Sequence, residues 1–134
     1  MVFDSALPHL FYAGCDAILI PSKFEPSGLS QMEAMRYGAV PIARKTGGLA
    51  DSVEDYDPEK NAGTGFVFEQ FDPMSLAITI TRAFEIWKNK DAWRMLQHRC
   101  MEKNFSWSYS AEEYRRLFDI ATNFRKRVTE EENG

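Results

Sequence analysis

The sequence predicts an α/β fold: a partial, Rossmann-like parallel sheet flanked by helices. Three observations carry this. First, the apolar runs at 17–20, 39–43 and 65–68 are short, as strands are. They are also nearly unbroken by polar residues, which is how strands covered on both faces read in a parallel sheet. Second, segments with helical spacing alternate with them, the pattern of α/β folds. Third, only three strands are visible and three helices crowd the end, whereas doubly wound sheets carry about five or six strands. This predicts the later half of a larger domain.

The elements follow in order. Residues 2–12 read as a short helix with apolar contacts at Leu7, Leu10 and Phe11. The run Ala17-Ile18-Leu19-Ile20 is the first strand and stops at Pro21. A loop leads to a helix over about 27–37, with Leu29, Met32 and Met35 at helical spacing and Gly38 closing it. The second strand covers 39–43. After the turn Lys45-Thr46-Gly47-Gly48 comes a short helix near 49–53, then a polar loop over 56–63. The third strand is 65–68.

Asp72 as N-cap and Pro73 at the first helical position open a long helix. Its expected apolar face is Leu76, Ile80, Ala83, Phe84 and Trp87. Another helix spans about 91–101. The segment 106–129 carries the C-terminal helix. After a break at 105–107, Ser110 and Glu113 read as a capping box, and Tyr114, Leu117, Phe118 and Ala121 form an inner stripe. Residues 130–134 read as an acidic, frayed tail.

The chain has 134 residues, 44% hydrophobic and 27% charged, which suits one domain. Its net charge of −4 argues against nucleic acid as a partner, since that needs a concentrated basic face. The same balance argues against an anionic membrane surface. No apolar run approaches the roughly 18 residues of a spanning helix, and no signal peptide is visible. Cys15 and Cys100 are far apart with no CxxC pair and are expected as free thiols in a reducing compartment. His9 and His98 read as packing or surface residues. No cluster has metal-binding spacing, so neither a metal nor a cofactor is expected.

Ligands of open α/β sheets bind beyond the carboxyl ends of the strands. Two loops leave such ends: 24–29 and 45–49. In the first, Pro26 disfavours helix at Glu25, and Gly28 lets a ligand approach the backbone. The amides of Ser27, Gly28 and Leu29 then suit a phosphate. Glu25 would be repelled by that phosphate but can accept hydrogen bonds from the hydroxyls of an attached sugar. Its plainer role is a loop carboxylate paired with Lys23 or Arg36. Glu33, eight residues on, either reaches a second polyol or is a solvated helix residue. In the second loop, Gly47 and Gly48 either serve a tight turn or allow backbone approach to a phosphate or sugar. Arg44 and Lys45 either meet a diphosphate or are ordinary exposed bases.

These residues combine into a longer pattern: Tyr12-Ala13-Gly14-Cys15-Asp16, residues 21–29 (PSKFEPSGL), Ala34-Met35-Arg36-Tyr37-Gly38, and residues 41–51 (PIARKTGGLAD). Gly63-Thr64-Gly65-Phe66 and Phe105-Ser106-Trp107 continue it. The whole closely resembles bacterial glycogen synthases and plant starch synthases, in the family's order and over nearly the whole chain. The resemblance implies a retaining glycosyltransferase of GT-B architecture, with two Rossmann-like domains facing across a cleft. This chain would be the later half of the C-terminal, nucleotide-sugar-binding domain.

The family moves glucose from ADP-glucose to the non-reducing end of an α-1,4-glucan. The resemblance implies that Glu25 holds the donor sugar hydroxyls. It implies that the backbone of Ser27, Gly28 and Leu29 meets sugar and diphosphate, and that Thr46 and Gly47 line the same pocket. The position of Phe3 is expected to stack on adenine. Family members often carry cysteine at the position of Ser27 and tyrosine at that of Glu33. A glutamate at 33 resembles the broader sugar-nucleotide transferases, whose second glutamate binds ribose; it points to UDP-glucose as an alternative donor. The family's donor-phosphate arginine and lysine, and its N-terminal domain with the acceptor site, would lie upstream of Val2. The chain alone is therefore expected to bind donor without completing transfer. The expected setting is a bacterial cytoplasm, or a plastid if the source is a plant. A non-catalytic binding or subunit module, completing its open sheet edge with a partner, is the alternative of a different class.

Overall fold

The computed structural model describes residues 6–132, with side chains as far as residue 125. It divides into two units, 1–103 and 104–134.

The first unit holds a three-stranded parallel sheet in the order β1-β2-β3: β1 Ala17–Ile20, β2 Val40–Arg44 and β3 Phe66–Phe68. Ala17 pairs with Val40 and Leu19 with Ile42, while Ile42 pairs onward with Phe66. Helix α1 (Leu7–Gly14) precedes β1, α2 (Ser30–Arg36) links β1 to β2, and α3 (Gly47–Ser52) follows β2. Helices α4 (Pro73–Lys88) and α5 (Lys90–Glu102) come after β3. The α/β class and the parallel sheet are as the sequence predicts.

The core centres on β2, whose Val40, Ile42 and Ala43 are all buried. Ala34 and Met35 of α2, Leu49 of α3, Phe66 of β3, and Trp93, Leu96 and Cys100 of α5 close around it. The Phe66 and Trp93 rings stack with centroids 6.2 Å apart. Helix α2 stops where Gly38 turns to φ +78°. The Gly38 amide bonds Met35 O and the Ala39 amide bonds Ala34 O, each at 3.0 Å. That pair of bonds is a Schellman motif, and it aims the chain straight into β2. At the start of α4, Asp72 accepts from the Met74 and Ser75 amides at 2.9 and 3.0 Å, as its N-cap role requires.

Several expectations are corrected. The strand β1 is not covered on both faces; Leu19 is 46% exposed. It is the sheet's edge, with no neighbour beyond it among the described residues. On α4, Thr79 and Ala83 are buried, whereas Ile80 and Phe84 are exposed. With Trp87 they overhang the β1 edge around an open apolar cavity of about 240 Å³ that reaches Ala17 and Ile42. Leu7, Leu10 and Phe11 of α1 are exposed as well. The first two corrections share one physical reason: Leu19, Ile80 and Phe84 lie at the β1 edge, where the sheet ends among the described residues.

In the second unit, α6 runs from Trp107 to Glu132. It opens three residues before the proposed capping box. Ser106 Oγ accepts from the Tyr109 amide at 3.4 Å and so does the capping, and Glu113 instead pairs with Arg116 at 2.9 Å. Tyr114, Leu117 and Phe118 are exposed, as is Trp107. The backbone is helical through 130–132, the start of the segment read as a tail.

Candidate functional site

Because β1 and β2 are parallel neighbours, the loops that leave them emerge side by side. Their contact is made backbone to backbone. The Gly48 amide donates to Glu25 O at 3.1 Å. A Cβ placed on Gly47 would stand 1.9 Å from Glu25 O, and one on Gly48 would stand 1.7 Å from Ser27 O. Neither position has room for a side chain. Gly47 also sits at φ +45°, a backbone that residues with a Cβ rarely adopt. The two glycines therefore do more than make a tight turn: they let the 45–48 turn press against the 25–28 loop.

This packing brings Glu25, Ser27, Gly28, Thr46 and Gly47 into one cluster. Glu25 is half-buried, and its carboxylate makes no ion pair or side-chain hydrogen bond among the described residues. The plainer partners are not used: Arg36 donates to Met101 O at 2.9 Å instead. Ser27 and Leu29 are exposed, and Gly28 turns at φ +73°. The Ser27, Gly28 and Leu29 amides find no acceptor among the described residues. They precede α2 rather than open it, since the helix starts at Ser30. The positive φ at Gly28 is what keeps these residues outside the helix. Glu33 lies in the first turn of α2 and is exposed. Thr46 is the N-cap of α3, and its hydroxyl makes no hydrogen bond among the described residues. Phe3 lies outside the described residues.

Arg44 and Lys45 are committed elsewhere. Arg44 donates to Lys23 O at 2.6 Å and Glu69 O at 3.1 Å, so it braces the base of the first loop. Lys45 pairs with Glu69 at 2.8 Å. The hydrogen bond and then the charge of Glu69 raise the Lys45 ammonium above its ordinary value.

One contributor carries no sequence signature of its own. Gln31 on α2 is fully buried and donates to Gly28 O at 2.9 Å and to Ser52 Oγ at 3.0 Å. Ser52 in turn donates to Gly48 O at 2.6 Å. The available signal is spacing: Gln31 shares the inward face with Ala34 and Met35 at i+3 and i+4.

A separate cavity of about 550 Å³ lies between α4 and residues 56–58. Its lining is mainly apolar, and its one guanidinium, Arg82, is held by Asp55 at 2.9 Å. It offers no uncommitted group for an anion. Among the described residues no group of three or more His, Cys, Asp or Glu could hold a metal ion. No helix among them is long and apolar enough to cross a membrane. Cys15 and Cys100 are both free thiols.

Residues 3–98 match the family described as Glycosyl transferases group 1. The chain belongs to that family. Among curated group 1 relatives, it is 48% identical to a glycogen synthase of Trichodesmium erythraeum over 118 residues, covering 88% of this chain and 26% of the relative. It is 44% identical to a glycogen synthase of Bacillus subtilis over 128 residues, covering 96% and 26%. Among solved structures it resembles the catalytic domain of starch synthase IV from Arabidopsis thaliana, bound to ADP and acarbose. There the TM-score is 0.77 at 41% identity, covering 92% of this chain and 26% of that one. The sucrose-phosphate synthase of Thermosynechococcus elongatus is more distant, with a TM-score of 0.60 at 28% identity, covering 88% and 29%. The chain thus spans about a quarter of the length of these group 1 relatives.

Proposed function

We propose that this chain supplies the donor-sugar and diphosphate contacts of a GT-B glucan synthase. The whole enzyme would transfer glucose from ADP-glucose to the non-reducing end of an α-1,4-glucan, making glycogen or starch. Its N-terminal domain, with the acceptor site, would complete the cleft. The setting would be a bacterial cytoplasm, or a plastid in a plant.

The observation that carries this proposal is the backbone contact of Gly47 and Gly48 with Glu25 and Ser27. It gathers a carboxylate and a run of amides, all without partners among the described residues, at the carboxyl end of a parallel sheet, where ligands of such sheets bind. In the proposed complex, Glu25 accepts hydrogen bonds from the sugar hydroxyls, each worth about 1.5–3 kcal/mol to an ionised acceptor. The Ser27, Gly28 and Leu29 amides face the diphosphate and sugar, with Thr46 and Gly47 lining the other wall. Phe3 would stack on the adenine. Catalysis in the whole enzyme would come from positioning the donor and from stabilising the leaving diphosphate, the two terms that dominate such transfers. A carboxylate held beside that diphosphate but committed to the sugar orients the donor without opposing departure. The ADP and acarbose bound in the Arabidopsis relative's structure support the same assignment of ligands.

Glu33 favours a second reading, in which it binds ribose and the donor is UDP-glucose; its exposure in the first turn of α2 leaves it free to do so. The open β1 edge favours a third, a binding module that pairs with a partner. Calorimetric titration of the chain with ADP-glucose and UDP-glucose separates the first two. Tighter binding of ADP-glucose is the expected result, and equal or reversed preference favours UDP-glucose. Self-association in light scattering, with no binding of either sugar, favours the module.

A further inference from the structure

The amide of Gln31 joins the two loops of the site. Its Nε2 gives one hydrogen to Gly28 O at 2.9 Å and the other to Ser52 Oγ at 3.0 Å. The Ser52 hydroxyl donates its own hydrogen bond to Gly48 O at 2.6 Å. The amide orientation follows from this network, because both of its partners there act as acceptors. The cost is visible on the other side of the group. Gln31 Oε1 is buried and bonds to nothing among the described residues. A methionine would fill this space, as Met35 does one turn on, without stranding an acceptor. What only an amide provides here is the grip on Gly28 O.

That grip has a geometric consequence. In a trans peptide the C=O and the following N–H point in opposite directions. Drawing Gly28 O inward to Gln31 therefore turns the Leu29 N–H outward, where no group among the described residues accepts from it. The peptide needs holding because Gly28, with no Cβ, restricts its own ψ less than other residues do, so the 28–29 unit can turn unless something restrains it. A Cβ on Gly28 would stand 2.7 Å from Gln31 Oε1, which shows how closely the amide presses on this peptide.

We propose that Gln31 is a positioning residue that locks the Gly28–Leu29 peptide with its N–H toward the donor diphosphate. The role rests on the donor-site proposal above. The Ser52 branch of the network ties α2 to α3 and serves stability.

The test compares the wild-type chain, Gln31→Met and Ser52→Ala by calorimetric titration, each checked by thermal melting. The titrant is whichever of ADP-glucose and UDP-glucose the wild type binds more tightly. Gln31→Met is expected to weaken binding about tenfold, the loss of one well-placed bond to an anion. Ser52→Ala keeps the Gly28 bond and is expected to stay within about twofold of wild type even as its melting temperature falls. Equal weakening in both variants, or none in either, overturns the positioning role while leaving the donor site intact. Should wild type bind neither sugar, the donor-site proposal fails and the role of Gln31 falls with it. If Gln31→Met does not fold, amide NMR of the wild type decides: the Leu29 resonance should move among the most on donor saturation, and a Leu29 amide that stays put overturns the claim.

Discussion

Gly48→Ala probes the contact on which the site is built. The new Cβ would lie 1.7 Å from Ser27 O and 2.5 Å from Ser27 C, both main-chain atoms that no rotamer change can move. A tolerable carbon–oxygen approach is about 3.3 Å, so the loops must part by about 1.6 Å. Parting them also breaks the Gly48 amide bond to Glu25 O. Overpacking of this kind costs about 1–3 kcal/mol. In a unit of this size each 1 kcal/mol moves the melting temperature by about 4–8 °C, so a fall of roughly 5–20 °C is expected. Misplacing a binding group by about 1 Å can cost on the order of a hundredfold. Donor affinity in the folded variant should therefore drop by at least about tenfold. Differential scanning calorimetry and isothermal titration read the two effects separately. Gly14→Ala is the control: nothing lies within 4 Å of its added Cβ, and its melting temperature and affinity should hold. A Gly48→Ala chain that melts and binds like wild type would refute the backbone contact.

Two further predictions concern stability. Asp72→Ala should lower the melting temperature, because the Met74 and Ser75 amides lose their cap. The hydrogen bonds from Ser75 lower the Asp72 carboxyl below its ordinary 3.8, so its contribution is present above about that pH and is lost as pH falls through the folded value. The gap in melting temperature between wild type and Asp72→Ala should close in acid. Burial pushes the Cys100 thiol up to about 12, so the folded state holds that proton where the unfolded state, near 9, releases it. Cys100 should resist thiol reagents at pH 8 until the chain unfolds, while half-buried Cys15 reacts in the native state. Stability should also fall as pH rises from 9 toward 12. Labelling of both thiols at equal rates in the native chain would contradict this.

What the sequence made legible was what neighbouring residues decide. The strands show as apolar runs, Asp72-Pro73 as a cap, and Gly38 as a stop. The loops at the carboxyl ends of β1 and β2 could be singled out because parallel topology fixes where ligands sit. What stayed hidden depends on contacts across the chain. The helix α2 begins at Ser30 rather than Ser27 because Gly28 takes a positive φ and its carbonyl is held by Gln31. Only its spacing to Ala34 and Met35 marks Gln31, and a polar residue in a first turn otherwise reads as solvated. The exposure of Leu19, Ile80 and Phe84 was misread because their spacing encodes an apolar face without saying that nothing among the described residues covers it. The cap of α6 moved to Ser106 because two serines four residues apart offer the same hydroxyl, and local pattern does not choose between them.

The central claim is that the two glycine-bearing loops form one donor site. Its most direct test is amide NMR of the wild-type chain titrated with ADP-glucose. Shifts should concentrate at residues 25–29 and 46–48, and Glu25→Gln, whose side chain has no partner to lose among the described residues, should weaken binding about tenfold without changing the melting temperature. Shifts centred instead on the cavity between Tyr56 and Arg82, or no shifts at saturating sugar, would contradict it.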